Sequence, residues 1–148
     1  MILPISLTIA AAATLVNLWL GGRVSRMRLA HKVSIGDGGV APLLARMRAQ
    51  ANFVEYTPFF LILLALIELG VGSPLWLWIV GALYILARIC HGLGMDGGRL
   101  RRLRTIGMMS TALILVGLMV VALVLAYSAE QQRRSFEAPL HSAEASRR

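Results

Sequence analysis

Cysteine is almost absent from this chain. Cys90 stands alone, which excludes an intrachain disulfide and any cysteine-cluster metal site; by itself it reads as a small apolar helix residue. Charge is missing in a more informative way. Met1 to Gly22 carries none, and neither does the run from Thr105 to Ser128. A spanning helix needs about 20 mostly apolar residues to cross a hydrocarbon core about 30 Å thick, and both runs qualify. The first run has no basic segment ahead of it, which argues for a retained span over a cleaved signal peptide. It also lacks Asp and Glu. A small proton-coupled multidrug exporter would need a membrane-embedded carboxylate there, so that class is disfavoured.

What remains is strongly apolar. The 148 residues are 57% hydrophobic and 15% charged, with mean hydropathy +0.72; a soluble domain is close to half apolar and about a quarter charged. The chain therefore reads as an integral membrane protein. Its net charge of +8 could suggest nucleic acid, but the basic residues are segregated. Six lie between Arg23 and Arg48, five between Arg88 and Arg104, and four in the tail beside three glutamates. The turn "GVGSP" (Gly70 to Pro74) has none. That is the positive-inside pattern: both basic loops face the cytoplasm and anionic lipid head groups, both termini lie outside, and no nucleic-acid partner is expected.

The expected fold is all-α, an antiparallel up-down four-helix bundle with helices over about 3–20, 42–69, 74–92 and 104–127; the short turn between the middle two makes them antiparallel neighbours. Pro74 after Ser73 is a helix starter. Residues 1–128 form the membrane domain. The tail, 129–148, is polar and aperiodic and is expected to be disordered at its end. "GDGG" (Gly36 to Gly39) and "MDGG" (Met95 to Gly98) read as tight turns, since neither has the spacing of a phosphate loop. Ala10 to Ala13, Gly107 and Gly117 suit close helix approach.

Against this background "RAQANFVEYTP" (48–58) stands out, because it runs into "FFLILLALIELG". A charged residue at the centre of a span costs about 2.5–3.5 kcal/mol on insertion scales, so it is by default a functional suggestion. Arg48, Asn52 and Glu55 fall at i, i+4 and i+7 and share a helix face; Gln50 lies roughly opposite. Tyr84, Arg88 and His91 repeat that spacing on the third helix, and Arg104 opens the fourth. These residues converge at one membrane depth. A purely structural alternative pairs Glu55 with Arg88 or Arg48, and Arg99, Arg101 and Arg102 serve as topology signals. Several guanidinium groups still remain after one carboxylate is paired, and such a surplus favours an anionic ligand.

The same segment resembles the signature Arg-Ala-Gln-x-Asn-x-x-Glu-Tyr-x-Pro of the membrane-associated proteins in eicosanoid and glutathione metabolism, the MAPEG superfamily, as found in leukotriene C synthase and related microsomal glutathione transferases. Every fixed position is kept. "RMRLAHKVSIGDGG" (26–39) and "ARICHGLG" (87–94) are similar to bacterial members, and the resemblance covers about residues 1–127. It implies a homotrimer with glutathione bound between neighbouring subunits on the cytoplasmic side. Position by position, Arg48, Gln50, Asn52, Glu55 and Tyr56 would be glutathione ligands, Arg28 another, with Arg88 and His91 beside them. Arg104 falls where the family has the arginine that stabilises the thiolate. The family commonly carries two tyrosines where this chain has His91 and Met95; Tyr84, one turn back, is a candidate substitute.

Glutathione, the co-substrate so implied, has two carboxylates, an ammonium and a thiol. The arginines suit the carboxylates, Glu55 the ammonium, and Arg104 the sulfur. A thiol with a pKa near 8.5 is mostly protonated at neutral pH, and lowering it by about two units takes about 2.7 kcal/mol. A guanidinium at ~4 Å supplies ~4 kcal/mol at an effective dielectric of 20, so no metal is required. The expected activity is glutathione transfer or peroxidase chemistry on a small lipophilic substrate arriving through the bilayer. The rival is a non-catalytic glutathione- or lipid-binding membrane protein. The near-exclusive use of arginine over lysine, with Lys32 alone, points to a GC-rich bacterium and so to its inner membrane.

Overall fold

The computed structural model describes residues 2–145; Met1 and residues 146–148, parts of the expected domain and tail, lie outside the described residues. Four long helices account for nearly all of it: α1 (Pro4–His31), α2 (Ala41–Val71), α3 (Leu75–Gly94) and α4 (Arg101–Ala145), with a short 3-10 turn, Gly98–Leu100, ahead of α4. All four are long and apolar enough to cross a membrane. Large apolar side chains such as Leu15, Ile62, Leu86 and Leu113 are left exposed, as lipid-facing positions must be in a bundle this apolar.

Pro4 starts α1 within its first turn, but no side chain of that segment caps it. The cap comes from the far end of α2. The buried carboxylate of Glu68 accepts the Ile5 and Ser6 amides at 2.9 and 2.8 Å and the hydroxyls of Ser6 and Ser73 at 2.6 and 2.7 Å. One side chain thus satisfies helix-start donors that lipid cannot and ties α1 to the turn before α3. Above it, Ile5, Ile9, Phe60, Leu64, Ile67, Leu77, Tyr84 and Leu118 form one core cluster. A second, of Ala13, Val16, Leu20, Ala49 and Phe53, joins α1 to α2.

Three expectations need correction. The first helix does not end near Leu20 but continues to His31. Gly21 lies against Gln50 of α2 and Arg23 is buried with a carboxylate partner, so the charged segment remains packed on the bundle. The fourth helix does not stop near Tyr127: α4 continues to Ala145. Glu130 there pairs with Arg133 at 3.0 Å and Arg134 at 2.8 Å, at helical i+3 and i+4 spacing. Among the described residues of one subunit Gly117 makes no close helix approach, since a Cβ there would meet nothing within 4 Å. Gly107 does: a Cβ would lie 2.5 Å from the Ala87 carbonyl oxygen and 2.6 Å from the His91 nitrogen. Where "GDGG" reads as a turn, Asp37 Oδ1 accepts the Gly39 amide at 3.2 Å, and Gly36, Gly38 and Gly39 all have positive φ.

Candidate functional site

The helical spacing in α2 places Arg48, Asn52 and Glu55 on one wall of a cavity of about 500 Å³; His91 and Met95 from the end of α3 and Arg104 from the start of α4 complete it. That size suits a small-molecule ligand. A second space of about 450 Å³ shares Asn52, His91 and Arg104 and continues along α4 past Arg101, Thr105 and Met108. Five of the nine residues singled out from the sequence therefore line one cleft.

A sixth, Arg88, sits immediately behind it. Its guanidinium is fully buried. Nη2 donates to Asn52 Oδ1 at 2.8 Å, Nη1 makes a long contact of 3.4 Å to Thr111 Oγ1, and the cation lies 5.6 Å from the Phe53 ring centroid. Its Nε has no partner. Among the described residues no carboxylate pairs with it. A buried guanidinium without a counter-charge is expensive, and its partner Asn52 lines the cleft. With its carbonyl oxygen held inward by Arg88, Asn52 has its amide donors left for the cleft. The pairing of Glu55 with Arg88 or Arg48 is not what the fold uses. Among the described residues Glu55, Arg48 and Arg104 make no ion pair or side-chain hydrogen bond, and all three are exposed. The cleft is thus a cationic mouth with one carboxylate in it, backed by an uncompensated arginine.

The other three residues are not brought there. Gln50 packs beside Gly21 of α1, on the opposite side of α2, as its spacing implied. Arg28 donates to the Ser34 carbonyl at 3.2 Å and contacts Met47 Sδ at 3.5 Å. Tyr56 is half-buried and is not part of the cavity lining. Tyr84 cannot substitute for the missing tyrosines. It is fully buried, stacks on Phe60 with ring centroids 3.6 Å apart, and shares a 3.1 Å hydrogen bond with Thr57. His91 reaches the cleft wall, but it is buried and its Nδ1 has no partner. Its close seat against Gly107 explains the burial.

Thr111 and Phe53, which hold Arg88, were not singled out in advance. Thr111 had a usable signal, since it lies at i+7 from Arg104 on the same face of α4. Its own hydroxyl donates back to the Gly107 carbonyl at 2.8 Å. Among the described residues no group of three or more His, Cys, Asp or Glu side chains is arranged to hold a metal ion.

The MAPEG family profile matches residues 6–124, which include every residue of the cavity wall. Inner membrane protein YecN of Escherichia coli (strain K12) is 36% identical over 100 residues, covering 67% of this chain and 74% of its own length. The protein of the same name from Escherichia coli O6:H1 (strain CFT073) matches to the same extent. With four helices able to span a membrane and a profile match across them, the chain belongs to the MAPEG family.

Proposed function

We propose that the protein is a membrane-bound glutathione-dependent transferase or peroxidase of the bacterial inner membrane. The observation that carries this reading is the charge of the cleft: Arg48 and Arg104 line it, the buried Arg88 backs it, and Glu55 is the single carboxylate on its wall. That set is complementary to a ligand with two carboxylates, one ammonium and a thiol. Arg48 and Arg88, the latter through Asn52, hold carboxylates; Glu55 holds the ammonium; Arg104 faces the sulfur.

The functional unit is a homotrimer of up-down, antiparallel four-helix subunits, with basic ends toward the cytoplasm and termini on the other side. Gln50, Arg28 and Tyr56 lie outside the cleft of one subunit, and they become ligands only if the ligand sits where two subunits meet. Arg104 shifts the thiol toward thiolate, and the thiolate is the nucleophile. With an electrophile, sulfur attacks carbon, a C–S bond forms, and the leaving group or ring oxygen departs with the electron pair. With a hydroperoxide, sulfur takes the distal oxygen, the O–O bond breaks and the alcohol leaves. A second glutathione then converts the sulfenic acid to a disulfide and water. Lipophilic substrates reach the cleft from the bilayer, where the second space runs along Met108 and Met109.

One observation favours the non-catalytic alternative, a glutathione- or lipid-binding membrane protein. Met95 on the wall donates no hydrogen bond, and His91 is buried rather than offered. The test is ultraviolet thiolate absorbance on adding glutathione to the purified protein and to Arg104→Ala. Wild type should show the thiolate band, and the variant should bind glutathione without it. If the variant loses both, Arg104 is a carboxylate ligand instead. Saturable binding by wild type with no thiolate would overturn the catalytic reading and leave the binding one.

A further inference from the structure

On the side of α2 away from the cleft lies a second charged node. Arg23 of α1 is buried; its Nη1 donates to the Gly92 carbonyl at 2.8 Å and its Nη2 to the carboxylate of Asp96. The Trp19 ring covers the guanidinium at 4.8 Å. Arg46 of α2 donates to the other oxygen of Asp96 at 3.1 Å and to the Arg23 carbonyl at 3.5 Å. Asp96, in the loop between α3 and α4, is therefore gripped by α1 and α2 at once.

That loop is short and shaped. Gly97 and Gly98 have φ of 80° and 59°, a region that side chains disfavour. Gly94 lies so close to the first turn of α4 that a Cβ would fall 2.1 Å from the Arg104 nitrogen. Met95, next to Asp96, and Arg104, beyond the loop, both line the cleft, whereas Arg23, Arg46 and Asp96 do not. Fixing Asp96 thus fixes where Arg104 stands relative to Arg48 and Asn52 on α2.

We propose that Asp96 is a positioning residue for Arg104. Its ion pairs to Arg23 and Arg46 hold the loop that sets the distance from the Arg104 guanidinium to the thiol bound in the cleft. The inference rests on the glutathione reading of that cleft. At an effective dielectric of 20, a retreat of the guanidinium from ~4 to ~6 Å lowers the thiol ionisation equilibrium about tenfold. Glutathione affinity, set by Arg48, Asn52, Glu55 and Arg88 on elements the loop does not carry, changes far less.

The experiment compares full-length wild type, Asp96→Asn, Asp96→Glu and Arg46→Ala in detergent, by hydrogen–deuterium exchange and by glutathione titration with thiolate absorbance. Exchange needs no ligand and reads the anchor alone. Asp96→Asn should speed exchange over 93–104 and leave 60–68 unchanged. It should lower the ionisation constant of the bound thiol about tenfold, read from the pH dependence of the band, with only a few-fold change in affinity, and Asp96→Glu should recover most of that loss. Arg46→Ala, which keeps the Arg23 pair, should give a smaller loss of the same kind and serves if Asp96→Asn does not fold. Unchanged exchange overturns the anchor. Faster exchange with an undiminished thiolate, or affinity and thiolate falling together, overturns the positioning role. A wild type without thiolate overturns the glutathione chemistry instead, and exchange then decides the anchor on its own.

Discussion

Replacing Arg88 with methionine separates a structural arginine from one kept for a ligand. The side chain is fully buried, and none of its partners is a carboxylate. Removing a guanidinium from water costs several kcal/mol even after relaxation. Against that, the 2.8 Å bond to Asn52 is worth about 1.5–3 kcal/mol as a hydrogen bond to a charged group. The Phe53 ring at 5.6 Å adds about 0.5–2 kcal/mol, and the 3.4 Å contact to Thr111 adds little. The two sides nearly cancel. Methionine fills an irregular apolar space of similar length; Thr111 keeps its bond to the Gly107 carbonyl, and Asn52 is half-exposed. Stability of Arg88→Met in detergent should therefore lie within about 1 kcal/mol of wild type, or above it. Glutathione affinity should not survive. A guanidinium ~6 Å from a ligand carboxylate contributes ~2.8 kcal/mol at an effective dielectric of 20, about a hundredfold in affinity. Chemical unfolding and titration calorimetry on the same preparation measure both. A loss of about 3 kcal/mol or more in stability would make Arg88 a structural residue, and unchanged affinity would remove it from the site.

Gly107→Ala should force the α3 and α4 backbones apart, because its methyl would meet the Ala87 carbonyl and the His91 nitrogen. About 1–3 kcal/mol of lost stability is expected, together with weaker glutathione binding as His91 shifts; an unchanged unfolding midpoint would contradict the close approach. Glu68→Ala orphans the Ile5 and Ser6 amides at about 1–3 kcal/mol each. Ser6→Ala removes only a hydroxyl donor and should cost far less, so equal losses would refute the capping role. Tyr84→Phe breaks the Thr57 bond for about 1 kcal/mol and should leave glutathione titration untouched; a fall in affinity would make Tyr84 a ligand after all.

The helices around the "GVGSP" turn were legible nearly to the residue, because glycine and proline mark that turn and no charge intrudes. α1 outruns its apolar stretch, which stops near Leu20 while its packing on the bundle continues. A charged segment looks like a loop unless its partner is known, and the partner of Arg23 lies 73 residues away. Similarly, spacing alone put Arg48, Asn52 and Glu55 on the cleft and Gln50 behind it. Spacing could not say which side chain Arg88 would choose. Asn52 and Glu55 share a face, and the close packing of α3 on α4 at Gly107, which brings Arg88 to its amide partner, is a long-range contact that spacing does not reveal. Tyr84 shares its stripe with Arg88 and His91, yet it turns into the core because Phe60 and Thr57 lie opposite.

The surplus of arginine at the cleft has a cause in where the carboxylates go. Between Arg23 and Arg104 the chain has eleven basic residues and four acidic ones, Asp37, Glu55, Glu68 and Asp96. Asp37 closes the first loop by accepting the Gly39 amide. Glu68, at the opposite end of α2, is taken up by the start of α1 and by Ser73. Asp96 is shared by Arg23 and Arg46 on the far side of α2. Only Glu55 is left for Arg48, Arg88 and Arg104, and it sits exposed at the mouth rather than against any of them. A chain that needed these arginines only for topology could have left them in the loops, where solvation is free of penalty. Burying Arg88 away from every available carboxylate has a physical rationale when the missing negative charge arrives with a ligand.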